Sequence, residues 1–323
     1  MADIKVKRHI GPKDLAALSQ LLSAAAESDS HPPLGEHAWL DLVQGGREGF
    51  AGLVAFEPSH PHPVGYAQLS RGDNPGGGGA GEHLQWALEL VVDPHHRVPG
   101  STVARDLLRN ALELVAQEGG GHLHLWANQP SPVQDRLAVS VGLSPGRVLY
   151  QMRRQLPSEE KATISTRPFQ VGHDEDAWLE VNNRAFARHP EQGGWTPKTL
   201  KARQSQPWFD PKGFLLYEDE GRLAGFCWTK VHGKGASRVG EIYVIAVDPD
   251  FAGRGLGREL TLAGLSYLSG EGMTEAMLYV DATNLRAIKT YVDLGFVVNH
   301  IDRAYTADVP AAPSRQRLPD VPG

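Results

Sequence analysis

A glycine-rich turn between a strand and a helix gives the second half of the chain a site for an anion. The pattern predicts a strand at Glu241 to Val247, which ends at Asp248-Pro249. Gly253 to Gly257 follow as a turn and lead into an amphipathic helix. Such a turn can aim several backbone N–H groups at one point, close to the positive end of the helix dipole. This arrangement suits a pyrophosphate, so we expect a phosphate-bearing cosubstrate.

The composition is typical of a globular protein of about two domains. The chain has 323 residues, of which 41% are hydrophobic and 22% are charged. Its net charge of -6, without a basic cluster, argues against a nucleic-acid partner. The single cysteine, Cys227, excludes an internal disulfide and favours a reducing compartment. Because the sequence shows neither a signal core nor a bilayer-spanning run, we expect a cytoplasmic protein without a membrane partner.

An internal repeat relates the two halves of the chain. Glu89 to Pro94 reads Glu-Leu-Val-Val-Asp-Pro and echoes Val244 to Pro249, which reads Val-Ile-Ala-Val-Asp-Pro. At the same spacing along the chain, Gly100 falls opposite Gly255. Several matches in the same order at a nearly constant spacing indicate a duplication.

The predicted elements follow the same order in both halves. In the first half a long strand is expected at Leu84 to Val92 and a helix at Thr102 to Gln117, with a loop at Asp73 to Gly81 between strands. Each half ends in a β-type run, Arg147 to Arg154 and Val297 to Tyr305. The predicted divisions are a first domain at 1–156, a linker at 157–166, a second domain at 167–306 and a disordered tail at 307–323.

Two ordered signatures resemble those of the GNAT acetyltransferases. One is Arg254-Gly-Leu-Gly257 between a Val-Asp-Pro strand and a helix; the other is the run from Asp281 to Phe296, in which Asn284 precedes a short helix and Tyr291 precedes Gly-Phe. The resemblance implies a mixed α/β fold of two tandem GNAT-type domains, each a central, mostly antiparallel sheet flanked by helices. The family usually has Gln or Arg where this chain has Ala252, but backbone N–H groups make most phosphate contacts, so binding should survive.

The resemblance also implies acetyl transfer from acetyl-CoA to an amine. Glu241 is the expected general base, acting through water, and Tyr291 the expected general acid for the departing thiolate. The alternative for Glu241 is a solvated strand carboxylate, and for Tyr291 a core aromatic residue.

The expected acetyl-CoA contacts lie in both halves. In the second half the backbone of one strand should pair with the pantetheine arm, and the turn should hold the pyrophosphate. The second-half residues are Ile245, Ala246, Val247, Ala252, Gly253, Arg254, Gly255, Leu256, Gly257, Arg258, Asn284, Leu285, Arg286, Ala287, Ile288 and Lys289. Their first-half counterparts are Leu90, Val91, Val92, Val98, Pro99, Gly100, Ser101, Thr102 and Val103.

Three further segments narrow the resemblance to the tandem GNAT enzymes that complete mycothiol biosynthesis. They are Arg188 to Trp195, Gln206 to Pro211 and Phe226 to His232. Those enzymes acetylate the cysteinyl amine of a cysteinyl-glucosaminyl-inositol. The residues that the resemblance assigns to this substrate are Glu36, Glu191, Lys230, Glu241 and Tyr279. A different small amine (an aminoglycoside, a polyamine or a protein N-terminus) stays open, as does a non-catalytic acetyl-CoA sensor, which Glu241 and Tyr291 together disfavour.

The first half lacks the residues for catalysis. At the spacing of the repeat, Trp86 stands where the second half has Glu241, and Ala138 stands where it has Tyr291. Pro99 in the first-half turn has no N–H to offer a phosphate. We therefore expect a non-catalytic first domain.

No metal site is expected, and Cys227 is expected to pack within a strand rather than act as a nucleophile. The histidines come in three groups, His60 with His62, His95 with His96, and His122 with His124. None of them has a Cys, Asp or Glu partner at ligand spacing in the sequence. The expected partner is a small-molecule amine, and the protein is expected to be a monomer.

Overall fold

The computed structural model divides the chain into two compact units. It describes residues 2–29, 31–46, 48–58, 60–72, 84–187, 189, 192–233, 235 and 238–313. Unit 1 comprises Met1–Arg147 together with Arg303–Gly323, and unit 2 comprises Val148–Asp302.

Unit 1 is a sheet with helices on both faces. Its elements are β1 (Asp3–Lys7), α1 (Pro12–Asp29), α2 (Glu36–Val43), β2 (Phe50–Phe56), β3 (Gly65–Arg71), β4 (Gln85–Val92), α3 (Val103–Gln117), β5 (Gly121–Asn128) and α4 (Pro132–Ser140). Strands β1 to β4 pair antiparallel in chain order, and β5 pairs parallel to β4. The crossover between β4 and β5 contains α3, as a parallel connection requires.

Each face of the first sheet has its own apolar core. On one face α3 places Val103, Leu107 and Leu108 against strand residues such as Leu53. These α3 positions recur at helical spacing, which is why the sequence predicted this helix closely. On the other face α1 and α2 pack over Tyr66 and its neighbours.

Unit 2 repeats this plan. Its elements are β6 (Ser144–Gln155), β7 (Arg167–Pro168), α5 (Glu175–Ala185), α6 (Pro197–Gln204), β8 (Phe214–Asp219), β9 (Arg222–His232), β10 (Val239–Val247), α7 (Leu256–Gly270), β11 (Glu275–Asp281), α8 (Leu285–Asp293) and β12 (Val297–Val309). Its strand order is β6-β11-β10-β9-β8-β7. Helices α7 and α8 cover the face that carries Cys227 and Ile242, and α5 and α6 cover an aromatic core around Trp178 and Trp228.

The strands β6 and β12 each belong partly to both units. Leu149 to Gln155 of β6 pair with β11 in unit 2, and the end of β12 lies beside β5 in unit 1. The predicted bounds instead gave each run to the half that precedes it, with the division at 156. An alternating pattern identifies a strand but not its partner, so the sequence could not show this exchange.

Three segments were predicted to lack regular structure: the tail, the loop at 73–81 and the linker. The last residues of β12, Ala307 to Val309, are in a strand, although the sequence placed them in the tail. Residues 314–323 and the predicted loop at 73–81 lie outside the described residues. The predicted linker at 157–166 contains no helix or strand.

A close approach between α7 and the sheet of unit 2 gives a test of the packing. A Cβ atom on Gly264 would lie 2.6 Å from both Cys227 Sγ and Ile242 Cδ1. We expect Gly264→Val to lower the free energy of unfolding by about 1–3 kcal/mol through overpacking. Gly270→Val is the matched control, because Gly270 lies in the same helix with nothing within 4 Å of the added Cβ atom.

Urea unfolding of both variants measures the difference. The control should stay within about 0.5 kcal/mol of the wild type. Equal midpoints for the two variants would contradict the close packing of α7 on β9 and β10.

Candidate active site in the second unit

The two central strands of unit 2 part in the middle of the sheet. Strands β10 and β11 pair in parallel only where Gly240 to Ile242 lie beside Ala276 to Leu278. On its other side β10 pairs with β9, with a register shift at Tyr243 that indicates a β-bulge. Beyond Ile242 no strand among the described residues pairs with the edge of β10 that faces β11. This leaves backbone groups from Val244 to Val247 available to an extended ligand.

Glu241 is buried at the point where the strands part. It lies directly opposite Lys230 on β9 and opposite Met277 on β11. Its carboxylate Oε2 lies 2.6 Å from Nε2 of His232, a hydrogen bond between side chains on one face of the sheet. The predicted base is therefore not a solvated strand carboxylate, which was the alternative reading of the sequence.

Lys230 is held among aromatic rings. Its ammonium group lies 4.3 Å from the ring centroid of Trp208 and 4.9 Å from that of Tyr243. Arg203 is buried behind this group, where its Nε donates to the Tyr243 hydroxyl at 3.1 Å and its guanidinium stacks 4.0 Å from the ring of Trp195. Cation–π contacts of this kind fix a charged side chain without neutralising it.

Tyr279 lies on β11, on the same face as Glu241. Its hydroxyl accepts a hydrogen bond from Nε2 of Gln151 at 2.8 Å, and Gln151 Oε1 accepts from Arg153 Nε at 2.8 Å. Burial raises the pKa of Tyr279 to about 12, and the nearby Glu241 carboxylate adds to this, while the Gln151 hydrogen bond opposes it. Tyr279 therefore presents a neutral phenol.

The other two residues expected at the acceptor site, Glu36 and Glu191, do not belong to the described part of unit 2. Glu36 is the first residue of α2 in unit 1 and is partly exposed. Glu191 lies outside the described residues. The roles of both stay predictions.

The glycine turn is open and its helix is uncapped. Gly253 and Gly255 have positive φ values of 85° and 78°, and a Cβ atom on either would meet nothing within 4 Å. Gly255 is the N-cap of α7 and provides no side-chain hydrogen bond to it. The first N–H groups of a helix have no partner inside the helix, so those of α7 point to the open side of the turn. Glu259, in the first turn, accepts hydrogen bonds from Thr163 instead, and the backbone N–H of Thr163 lowers its pKa.

The charged residues of the turn face ion-pair partners. Arg254 pairs with Asp219 at 3.0 Å and also stacks on Phe251 at 5.0 Å, and Arg258 pairs with Glu160. A phosphate bound here would meet the backbone N–H groups of the turn first. Ala252, where the family usually has Gln or Arg, should therefore not prevent binding.

The second signature forms α8 and its cap. Asn284 is the N-cap, and its Oδ1 accepts from the backbone N–H of Ala287 at 3.2 Å. Leu285 and Arg286 are exposed, Ala287 and Ile288 are partly buried, and Lys289 pairs with Asp293 at 2.8 Å.

Tyr291 reaches the sheet from the face opposite Glu241. It is buried in the core cluster that contains Cys227 and Ile242, and its ring meets the edge of Phe296 at 5.9 Å. Because Glu241 and Ile242 are neighbours on β10, their side chains point to opposite faces. Burial raises the pKa of Tyr291 well above its ordinary range, so the phenol keeps its proton. Burial also raises the pKa of the Cys227 thiol, to about 12, which fits its expected packing role.

In unit 1 the two corresponding parallel strands also part, but this unit has no counterparts of Glu241 and Tyr291. Strands β4 and β5 pair only from Gln85 to Leu88, so Leu90 to Val92 also lie beyond the paired part. Trp86 is buried and its indole N–H donates to the Gly120 carbonyl at 3.0 Å, and Ala138 is buried in α4.

The first-half turn is arranged differently from its counterpart. Gly100 keeps a positive φ of 89°, but Pro99 precedes it without an N–H group. The Asp106 carboxylate in the first turn of α3 accepts from the Thr102 hydroxyl of the turn itself at 2.7 Å, whereas Glu259 in the first turn of α7 accepts from Thr163. Val98, Pro99 and Gly100 are exposed, Ser101 is partly buried and Val103 is buried.

Sequence reasoning missed three features of this region. His232 was noticed only as the end of a family-like segment, yet its position two residues after Lys230 places it on the same strand face as Lys230. The bulge at Tyr243 has no signal in the sequence, and Arg203 was not expected to support Tyr243. In unit 1, where the sequence predicted no metal site at the histidines, the Glu57 carboxylate lies 3.9 Å from His60 and 3.5 Å from His96.

A comparison with family models supports the superfamily. A model described as the acetyltransferase (GNAT) family matches residues 176–296, which contain β10, the turn, α7, β11 and α8.

Solved structures of similar fold include two tandem or GCN5-related proteins. A tandem GNAT protein from the clavulanic acid biosynthesis pathway has a TM-score of 0.67 at 16% identity, covering 96% of this chain and 100% of that chain. A GCN5-related N-acetyltransferase from Sphaerobacter thermophilus has a TM-score of 0.63 at 22% identity, covering 96% and 97%. The predicted fold of two tandem GNAT-type domains is confirmed.

Sequence relatives extend over nearly the whole chain. A protein of Thermobispora bispora named mycothiol acetyltransferase is 41% identical over 310 residues, covering 94% of this chain and 99% of the relative. One of Streptomyces coelicolor with the same name is 40% identical, covering 94% and 95%. No helix among the described residues is long and apolar enough to cross a membrane. At this identity and coverage, the chain belongs to the mycothiol acetyltransferase family of GNAT enzymes.

Proposed function

We propose that this enzyme transfers the acetyl group of acetyl-CoA to the cysteinyl amine of cysteinyl-glucosaminyl-inositol, the last step of mycothiol biosynthesis. The observation that carries the proposal is the buried Glu241 at the opening between β10 and β11, close in sequence to the uncapped turn before α7. Relatives named mycothiol acetyltransferase over 94% of the chain support the choice of acceptor.

The cosubstrate would bind along backbone in unit 2. The pantetheine arm pairs with the free edge of Ile245 to Val247 as an added strand would. The pyrophosphate lies on the turn from Ala252 to Arg258, where the α7 dipole and its first N–H groups favour negative charge. Asn284 to Lys289 flank the cofactor on the side of α8.

The chemical step begins with removal of a proton from the substrate ammonium group. Glu241 accepts this proton through a water molecule, and the free amine attacks the thioester carbonyl. His232, hydrogen-bonded to Glu241, holds the carboxylate in one orientation and stabilises its charge. Backbone N–H groups of β10 polarise the carbonyl as negative charge develops on its oxygen.

Tyr291 completes the step by protonating the coenzyme A thiolate as the C–S bond breaks. Its raised pKa determines the sign of the pH dependence, since a raised pKa keeps the acid form present to higher pH than an exposed tyrosine would. Deprotonation of Tyr291 should therefore not lower the activity in the pH range where the substrate ammonium group loses its proton.

The acceptor site takes a polyhydroxylated amine. Lys230, fixed over Trp208 and Tyr243, donates hydrogen bonds to sugar or inositol hydroxyls. The neutral Tyr279 phenol adds a further polar group on the same face, and Glu36 and Glu191 supply carboxylates for the ammonium group and hydroxyls.

Unit 1 is proposed to be non-catalytic. Acetyl-CoA binds there at Leu90 to Val92 and Val98 to Val103 without turnover, because Trp86 and Ala138 replace the base and acid.

We also propose that the enzyme is a cytoplasmic monomer. It acts on this small molecule, binds no nucleic acid and uses no catalytic metal. The functional division at 1–156 and 167–306 is part of the same proposal.

An amine panel tests the acceptor. With acetyl-CoA present, we expect coenzyme A release at a much higher rate with the cysteinyl pseudo-disaccharide than with an aminoglycoside, a polyamine or a peptide N-terminus. The reason is that hydroxyls of the true acceptor satisfy buried polar groups that the other amines would leave unpaired. Thiol release followed with a chromogenic reagent gives the rates, corrected for the acceptor's own thiol. An equal or higher rate with another amine would overturn the acceptor while leaving the acetyl transfer in place.

Substitution of the base tests the catalytic assignment. We expect Glu241→Gln to lower kcat by about 10²–10⁴-fold, since the amide cannot accept the proton. Acetyl-CoA binding measured by calorimetry should stay as in the wild type. Glu271→Gln, at an exposed carboxylate just after α7, is the matched control and should keep full turnover. Normal turnover by Glu241→Gln would exclude Glu241 as the base.

Substitution in the glycine turn tests the pyrophosphate site. Gly255→Ala should raise KM for acetyl-CoA about tenfold, because a left-handed φ costs an alanine about 1–2 kcal/mol. Gly272→Ala is the matched control, since Gly272 has a φ of 79°, has nothing within 4 Å of an added Cβ and lies beyond the other end of α7. Steady-state kinetics at saturating acceptor give both values, and equal KM values for the two variants would contradict the site.

A further inference from the structure

Three potential metal ligands converge in unit 1, away from the residues assigned to catalysis. They are Glu57, which follows β2, His60 in the next turn, and His96 in the short 3₁₀ helix after β4. One ligand atom from each lies within 4.8 Å of the other two. The cluster joins two segments that are far apart in sequence, so the tertiary fold alone brings it together.

The distances suit a small divalent cation. Glu57 Oε2 lies 3.5 Å from Nε2 of His96 and 3.9 Å from Nδ1 of His60. Ligand atoms of a tetrahedral zinc site lie about 3.3–3.5 Å apart, as follows from Zn–N and Zn–O bonds of about 2.0–2.2 Å. The Glu57–His96 distance already matches that spacing, and the Glu57–His60 distance exceeds it by about 0.4 Å. Two imidazoles and one carboxylate are also the donor set of several catalytic zinc sites.

The second ring nitrogen of His96 supports this interpretation. Its Nδ1 is buried without a hydrogen-bond partner among the described residues, and the nearest carboxylate oxygen is Asp93 Oδ1 at 3.5 Å. A histidine that binds a metal through one nitrogen usually donates its other N–H to a carboxylate. Asp93 is itself fixed, since its Oδ1 accepts from the backbone N–H of His95 at 2.8 Å. The arrangement therefore resembles a carboxylate–histidine–metal triad.

The two imidazole rings are in direct contact beside Glu57. The rings of His60 and His96 meet edge to face, with centroids 4.6 Å apart and an interplanar angle of 76°. Both direct a nitrogen toward the same Glu57 oxygen. His96 is largely buried and His60 is about half exposed, so an ion bound here has protein on one side and solvent on the other.

We propose that Glu57, His60 and His96 form a binding site for a divalent transition-metal ion, with Zn²⁺ as the best match, and that Asp93 orients His96. The donor set of two imidazoles and one carboxylate favours Zn²⁺ over Ca²⁺ or Mg²⁺, which prefer oxygen ligands. The ion completes its coordination with water.

The ion has a structural role in unit 1. It links the turn after β2 to the segment after β4, and that segment continues directly into Arg97 and the first-half glycine turn. Arg97 is fixed in turn by a two-pronged ion pair with Asp29, at 2.6 and 3.0 Å, and by a bond from its Nε to the Val92 carbonyl at 2.8 Å. A bound ion would thus stabilise the segment that leads into the proposed second acetyl-CoA site. This consequence alone rests on the proposed function of unit 1.

Metal binding to the full chain, without an affinity tag, tests the proposal. Calorimetry with Zn²⁺ and the visible spectrum of added Co²⁺ are the two readouts, and neither depends on acetyl transfer. We expect one equivalent of Zn²⁺ per chain and the intense absorption of four-coordinate Co²⁺. Both signals should be lost in His96→Ala and in Glu57→Gln, the latter at a partly exposed position that should fold normally.

Two further variants separate the site from general histidine binding. His122→Ala is the matched control, because His122 lies on β5 beside Gln85, at the opposite end of β4 from His96, and it should bind one equivalent as the wild type does. Asp93→Asn should weaken Zn²⁺ binding about 10–100-fold, as is usual when the partner of a metal-bound histidine is changed. Absence of binding by the wild type, or equal binding by the wild type, His96→Ala and Glu57→Gln, would overturn the proposal.

Discussion

The end of strand pairing after Ile242 is the constraint on which the rest of unit 2 depends. A sheet interior normally leaves few backbone groups unpaired, because each one that is buried without a partner costs free energy. Here β10 carries a bulge at Tyr243 and separates from β11, although β9 continues to pair with it up to Val247. The resulting gap places backbone N–H and C=O groups where a ligand can take the role of a missing strand.

The residues around this gap have divided roles because the sheet has two faces. Glu241, Lys230, His232 and Tyr279 project from the face covered by α5 and α6, whereas Tyr291 belongs to the core beneath α7 and α8. The residues proposed as base and acid therefore lie on opposite faces of the sheet. The α7 helix that packs over Cys227 and Ile242 also begins at the uncapped Gly255, so one helix contributes to the core and to the proposed pyrophosphate site.

Duplication has left the two units with the same framework and different chemistry. Both keep the parted strands and a glycine with positive φ in the turn, since these features depend on backbone geometry. The side chains have diverged: buried Trp86 packs in the core beneath α3, whereas Glu241 lies on the sheet face that α5 and α6 cover. In unit 1, Glu57, His60 and His96 instead lie together just after the C-terminal ends of β2 and β4.

The sequence by itself determined the elements, the repeat and the family, because helical and strand periodicity, glycine turns and the two signatures are local patterns. It also singled out Glu241 and Tyr291, since each stands at a fixed position within such a pattern. Only the tertiary structure decided which strand completes which sheet, that His232 bonds to Glu241, that Arg203 supports Tyr243, and that Glu57 meets His96. Each of these depends on contacts between segments distant along the chain, and strand pairing, bulges and side-chain partners leave no periodic signal in a single sequence.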